Sequence, residues 1–203
     1  MTKPYSLWGH TGDHELFCHV APRPRNAEAT RAAILKAATN RFSRESYDDV
    51  GMRDIAGDVG VDAALVSRYF GSKEDLFIAV LNASGDKTRI IEGDRSDFGQ
   101  RMAREAIYKE REAGKLEHML IMLRSIGSTK AAELIQRNGQ DCFFGPFEQW
   151  LGGPDAPVRA RLAAGIMMGV SIGSELCIDA LTPEQCAAME QRMAAILQDI
   201  IDG

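Results

Sequence analysis

The chain has 203 residues, 45% hydrophobic and 26% charged, the balance of a soluble globular protein long enough to bury a sizeable core. No stretch reaches the roughly 20 apolar residues of a membrane-spanning helix, and the first ten residues lack the apolar centre of a signal peptide, so a cytoplasmic protein with no membrane partner is expected. Cys18, Cys142, Cys177 and Cys186 lie far apart with no C-x-x-C pair, which points to neither a disulfide framework nor a zinc ribbon. The net charge of −5 argues at first against nucleic acid. Its distribution weakens that objection: residues 1–89 hold 12 basic and 12 acidic side chains, residues 90–203 hold 12 and 17, and residues 23–73 hold 9 and 7. Any anion-binding surface therefore belongs near the N-terminal end.

Residues 1–26 show neither helical nor strand periodicity and end in Ala21-Pro22-Arg23-Pro24-Arg25-Asn26, which predicts a disordered extension with a basic end. Its His10, His14, Cys18 and His19 are donors a zinc-like ion accepts, but no capping or core pattern preorganises them, and no metal or cofactor is expected. Arg23 and Arg25 form a basic arm of the type that reaches phosphate or the minor groove. From Glu28 to about Arg44, Ile34, Leu35, Ala38 and Phe42 recur at helical spacing, with Asn26 as candidate N-cap. The rest also steps by three and four with no alternating segment, which predicts an all-α fold of about nine helices. Ser72 with Asp75, and Thr182-Pro183 with Gln185, read as capping boxes, and Gly152-Gly153-Pro154 as a break.

Residues 50–70 fit two short helices joined by a tight turn. Met52, Ile55, Ala56 and Val59 make the buried stripe of the first, and Gly60 stands where a left-handed residue ends it. Asp62 caps the second, whose inner face is Val66 and Phe70. This is a helix-turn-helix, with a recognition helix exposing Ala63, Ala64, Ser67 and Arg68. Arg68 can donate twice to guanine, Ser67 can donate or accept, and the two alanines can touch a thymine methyl. Tyr69, Lys73, Arg53 and the free N–H groups after Ser72 suit phosphate.

Residues 30–81, with Ile34, Phe42, Tyr47, Met52 to Ala56, Gly60-Val61, Tyr69-Phe70 and Ser72 to Phe77, resemble the DNA-binding domain of the TetR family of bacterial transcriptional regulators. The remainder, with residues 151–159 and two long final helices, is similar to the family's ligand-binding and dimerisation half. The resemblance implies domains at 27–71 and 72–203 joined by the fourth helix, and partners in double-stranded operator DNA, a second copy of the chain and a small-molecule effector. Three positions depart from the family pattern: Gly51 replaces a capping Ser or Thr, Asp62 replaces a Ser, and Ser67 replaces a phosphate-contacting Tyr.

Gly165, Gly169 and Gly173 recur four apart on one long helix, a spacing that lets another helix backbone approach. On the last helix Met189, Met193, Ile196 and Ile200, with Cys186, repeat as a coiled-coil-like seam. The resemblance implies that both stripes form a dimer interface; packing within one chain is the other reading. Between reader and dimer face stand His118, Met119 and Met122, then Phe143, Phe144, Phe147 and Trp150, then Met167 and Met168, a soft apolar set suited either to an effector pocket or to ordinary core. No hydrolase, metalloprotease or phosphate-loop motif is present, so no enzyme is expected. The sequence thus points to a homodimeric, ligand-controlled repressor. The alternative is a non-catalytic helical ligand-binding or protein-interaction dimer that has lost DNA binding.

Overall fold

The structure is a computed structural model describing residues 24–83, 90–108, 113–176 and 181–203. Among these residues the fold is all-α. The helices are α1 (Pro24–Phe42), α2 (Met52–Val59), α3 (Ala63–Phe70), α4 (Lys73–Asn82), α5 (Phe98–Tyr108), α6 (Ala113–Ser125), α7 (Thr129–Gly139), α8 (Gly145–Leu151), α9 (Ala156–Leu176) and α10 (Pro183–Asp202). A π-turn over Gln140–Phe144 joins α7 to α8 without a break, so the described residues make nine separate rods. The first begins earlier than the periodicity indicates. Pro24 opens it, because its missing N–H is one that no helical carbonyl would use and its fixed φ suits a first turn; Asn26 is therefore inside the helix.

Aromatic packing fixes the N-terminal half. Phe42, Tyr47 and Phe77 meet with ring centroids 4.9–6.0 Å apart. Around them Ile34, Ala38, Val50, Ile55, Val66, Leu76, Val80 and Leu81 are buried. Ile121 of α6 and Ala131 and Leu134 of α7 enter the same core. Ser128 donates to Asp48 at 2.9 Å and Asn138 to Asn82 at 3.1 Å, so the three-helix reader is continuous with the middle of the chain in apolar packing and in hydrogen bonds.

A second core gathers α5, α8, α9 and α10 around Phe98, Phe147, Ala160, Ala163, Leu197 and Ile201. Here α5 lies closely on α10 at Gly99, whose N–H donates to Gln198 Oε1 at 3.0 Å. A Cβ on Gly99 would run into the Ala194 carbonyl oxygen and come within 2.9 Å of the Gln198 amide nitrogen. The helix ends of this layer are closed by two arginines: Arg95 donates to the carbonyls of Leu151 (3.1 Å) and Ile201 (2.6 Å), and the buried Arg159 donates to those of Ile201 (3.0 Å) and Gly152.

Both expected capping boxes form. Ser72 Oγ accepts from the Asp75 N–H at 3.1 Å while Asp75 accepts from the Ser72 N–H at 3.0 Å, and Thr182 and Gln185 do the same for α10.

Two outcomes follow. Gly99→Ala forces α5 away from α10 and should cost about 1–3 kcal/mol, seen as a lower unfolding midpoint in urea; an unchanged midpoint would contradict the close approach. The Ser72 hydroxyl and N–H hold the Asp75 carboxyl below its ordinary 3.8, so the cap is at full strength above that pH and is lost as pH falls below it. Asp75→Asn should therefore flatten the acid limb of the stability curve, measured by urea titrations at a series of pH values.

Candidate nucleic-acid interface

The α2–α3 pair turns at Gly60, whose φ of 74° is the left-handed value a side chain resists. The Gly60 N–H reaches the Gly57 carbonyl at 3.2 Å and the Val61 N–H that of Ala56 at 3.0 Å. Asp62 caps α3 by accepting from the Ala64 N–H at 2.7 Å. Val66 and Phe70 pin the helix to the core, leaving Ala64, Ser67 and Arg68 exposed on one outward face.

The ten residues named for DNA contact divide. Asp62, Ala64, Ser67, Arg68 and Arg53 are exposed. Ala63 and Tyr69 are half-buried and pack on the first core, so they present an edge only. Lys73 is half-buried with its ammonium 4.3 Å from the centre of the Tyr47 ring. Arg23 lies outside the described residues, as do His10, His14, Cys18 and His19; Arg25 lies in α1, its side chain outside the described set.

The departures at Gly51 and Asp62 have a local explanation. Gly51 has no hydroxyl to cap α2, but Asp54 three residues on accepts from the Gly51 N–H at 3.1 Å, half of a capping box. The Gly51-x-x-Asp54 spacing carried that signal in the sequence. Asp62, exposed at the head of α3, spends one carboxylate oxygen on the backbone.

Charge at this surface is selective. Arg41 is held by Asp58 through two hydrogen bonds of 2.6 and 2.8 Å and faces Glu45 at 3.3 Å; the Asp58 contact raises the arginine pKa and lowers that of the carboxyl. Arg31, Arg53, Arg68 and Lys73 make no ion pair with a carboxylate among the described residues. Arg31, absent from the sequence-based set, lies 4.7 Å over the Phe70 ring; the two are 39 residues apart, beyond any local pattern.

The named dimer residues also divide. Among the described residues nothing lies within 4 Å of a Cβ built on Gly165, Gly169 or Gly173, so no described helix of the same chain uses that stripe. It continues a surface on which Val158 and Leu162 are 60% and 52% exposed. Ile196 is exposed and Met189 half-buried. Met193 corrects the expectation: with Ala194, Leu197 and Ile201 it is buried in the second core, because α5 takes that edge of α10, and Ile200 packs partly there too.

The named effector residues fall into both cores. Met122 packs on the first core, beside Ile121. Phe143, Phe144, Phe147 and Trp150 join the second, where Phe147 is fully buried and stacks with Phe98 (5.8 Å) and Trp150 (5.9 Å), so it is packed core and lines no open space. Met167 lies against that cluster and Met168 is exposed; His118 and Met119 are half-buried on α6. Two surface grooves lie elsewhere, one between α5 and α10 beside Gln100 and Gln198, the other between α1 and α2 beside Lys36 and Asp58.

The family profile described as "Bacterial regulatory proteins, tetR family" matches residues 34–80, and "Tetracyclin repressor-like, C-terminal domain" matches residues 96–201, about half of the chain by itself. The HTH-type transcriptional repressor Rv3405c of Mycobacterium tuberculosis is 40% identical over 72 residues, 35% of this chain and 38% of that protein. The HTH-type transcriptional repressor NicS of Pseudomonas putida is 41% identical over 59 residues, 29% of this chain and 28% of that protein. These matches therefore span well under half of the relatives' own length. Among solved structures, NalD of Pseudomonas aeruginosa, described as the secondary repressor of the MexAB-OprM multidrug efflux pump, superposes with a TM-score of 0.64 at 20% identity over 83% of this chain and 95% of its own. Salmonella enterica GusR gives a TM-score of 0.65 at 15% identity, over 86% and 96%. At these identities the likeness is one of fold. With the reader built as described and both family profiles matched in order, the chain belongs to the TetR family of bacterial transcriptional regulators.

Proposed function

We propose that the protein is a homodimeric repressor whose hold on operator DNA is controlled by a small apolar or amphipathic ligand, that it works without catalysis, and that it works in the cytoplasm. The observation carrying the DNA reading is the recognition helix itself. Its outward face holds only short side chains and Arg68, an arginine without a carboxylate partner among the described residues, on a turn fixed by Gly60. Small neighbours let the backbone approach base edges closely enough for one guanidinium to read a guanine. Two curated relatives are named as repressors, which favours repression over activation.

The dimer reading rests on the α9 surface. Val158 and Leu162 are exposed, and among the described residues nothing lies against Gly165 and Gly169, which continue their line at helical spacing; large exposed apolar side chains on such a line mark an interface. A two-fold dimer sets two recognition helices roughly 34 Å apart, one turn of B-DNA, or a multiple of it. Ligand control is assigned to the half-buried Phe143 and Phe144 at the π-turn, with Met167 opposite, since π-turns recur at functional sites. To act, a ligand there must bind the two arrangements of the dimer with different affinity.

Selection of bound fragments from random DNA should return a two-fold site with half-sites spaced by helical turns, and Arg68→Ala with Lys73→Ala should abolish retardation of that site while the chain stays folded. Unchanged retardation by the double variant would sink the assignment and favour a dimer that has lost DNA binding. For the interface, Gly165→Ala with Gly169→Ala should weaken dimerisation in light scattering over a concentration series. Were the stripe simply exposed, the same change would raise stability by about 1 kcal/mol per site and leave the mass untouched.

A further inference from the structure

Arg31 and Lys73 share an arrangement that no other described cation of the reader shows. Arg31 is exposed about two turns into α1, with its guanidinium carbon 4.7 Å from the centre of the Phe70 ring. Phe70 is the last residue of α3 and its ring is buried, so the guanidinium is referenced to the recognition helix rather than to its own helix alone. Three residues beyond, across Gly71 and Ser72, Lys73 places its ammonium 4.3 Å from the centre of Tyr47, itself locked against Phe42 and Phe77. The two cations thus flank the turn from α3 into α4, each seated on a ring that the core holds still. Neither has a carboxylate partner among the described residues, in contrast to Arg41, which Asp58 and Glu45 engage.

A cation over the face of a ring is attracted by the ring's negative face, and that contact uses none of its N–H donors. Both groups therefore keep their full donor capacity for an anion while part of their rotational freedom is already gone. A long basic side chain that is already placed loses less entropy when it closes on a phosphate.

We propose that Arg31 and Lys73, held by Phe70 and Tyr47, form a clamp for the DNA backbone phosphate beside the C-terminal end of the recognition helix, with Arg31 as a phosphate contact and Phe70 as its positioning residue. The clamp rests on the DNA-binding reading above. A phosphate contact carries no base information, so its work is to fix the register at which Arg68 meets a base edge.

The test is the salt dependence of binding to the selected site and to random duplex, by fluorescence anisotropy on the full chain. Arg31→Ala should weaken both DNAs by the same factor, leave the preferred sequence unchanged, and reduce the slope of log affinity against log salt by about 0.9 per lost contact, hence about 1.8 for a dimer. Phe70→Leu should reproduce part of that loss and Phe70→Tyr should not, since tyrosine keeps the ring; once Arg31 is alanine, the Phe70 substitutions should no longer move the slope. Unfolding midpoints of each variant separate these effects from loss of fold. An unchanged slope in Arg31→Ala, with Arg68→Ala still relaxing sequence preference, overturns the clamp and leaves the regulator standing. Absence of salt-dependent binding by the unaltered chain overturns both.

Discussion

The packing of Phe77 against Phe42 and Tyr47 is the contact on which everything else turns. It sits on α4, the helix that leaves the reader, and Leu76, Val80 and Leu81 continue its apolar face. The same core receives Ile121 from α6 and Ala131 and Leu134 from α7, so the apolar face of α4 is shared between the N-terminal helices and the middle of the chain. A helix that shares one core with both cannot change position relative to one neighbour without disturbing the other, because protein interiors are packed too densely to deform smoothly. Any displacement of α6 and α7 is thus felt by the three helices that present Arg68. The hydrogen bonds Ser128 to Asp48 and Asn138 to Asn82 tie the same two parts and give the coupling a direction, since such bonds survive only over a narrow range of separations.

The reader was largely legible in its residues because its signals are local. Gly60 ends α2 as its position indicated, Asp62 caps α3, and Ser72 with Asp75 opens α4; each signal spans four residues or fewer. What the sequence did not disclose depends on residues far apart in the chain. The stripe of α10 has two apolar edges, and nothing in its own spacing says that α5 covers Met193 while Ile196 stays exposed. Among the described residues the glycine that admits a close helix proved to be Gly99, alone in its helix, while the more conspicuous series Gly165, Gly169 and Gly173 has no neighbour. Periodicity reveals that a face is apolar and leaves open what will cover it.

The aromatic set shows the same limit from another side. Phe143, Phe144, Phe147 and Trp150 are a suitable wall for a ligand and equally suitable filling, and the deciding residue was Phe98, roughly fifty positions upstream and without a distinguishing local pattern. With Phe98 in place, Phe147 is enclosed and only the flanking rings keep an accessible edge. The charged surface behaves alike: counting basic residues gives the reader a slight excess, but which cations are available follows from which carboxylates lie opposite them, as Asp58 does for Arg41.

The π-turn at Gln140–Phe144 bears on more than the site it adjoins. The rod from Thr129 to Leu151 buries Ala131 and Leu134 in one core and Phe147 and Leu151 in the other, with the π-turn between the two pairs. At 3.6 residues per turn, one additional residue rotates everything beyond it by about 100°, and that rotation lets a single rod serve two masses of side chains that lie in different directions. Length there is direction. Across related chains, insertions and deletions should accumulate freely in the connections between rods, whereas within this turn a change of one residue would re-aim an entire helix and the core it fills.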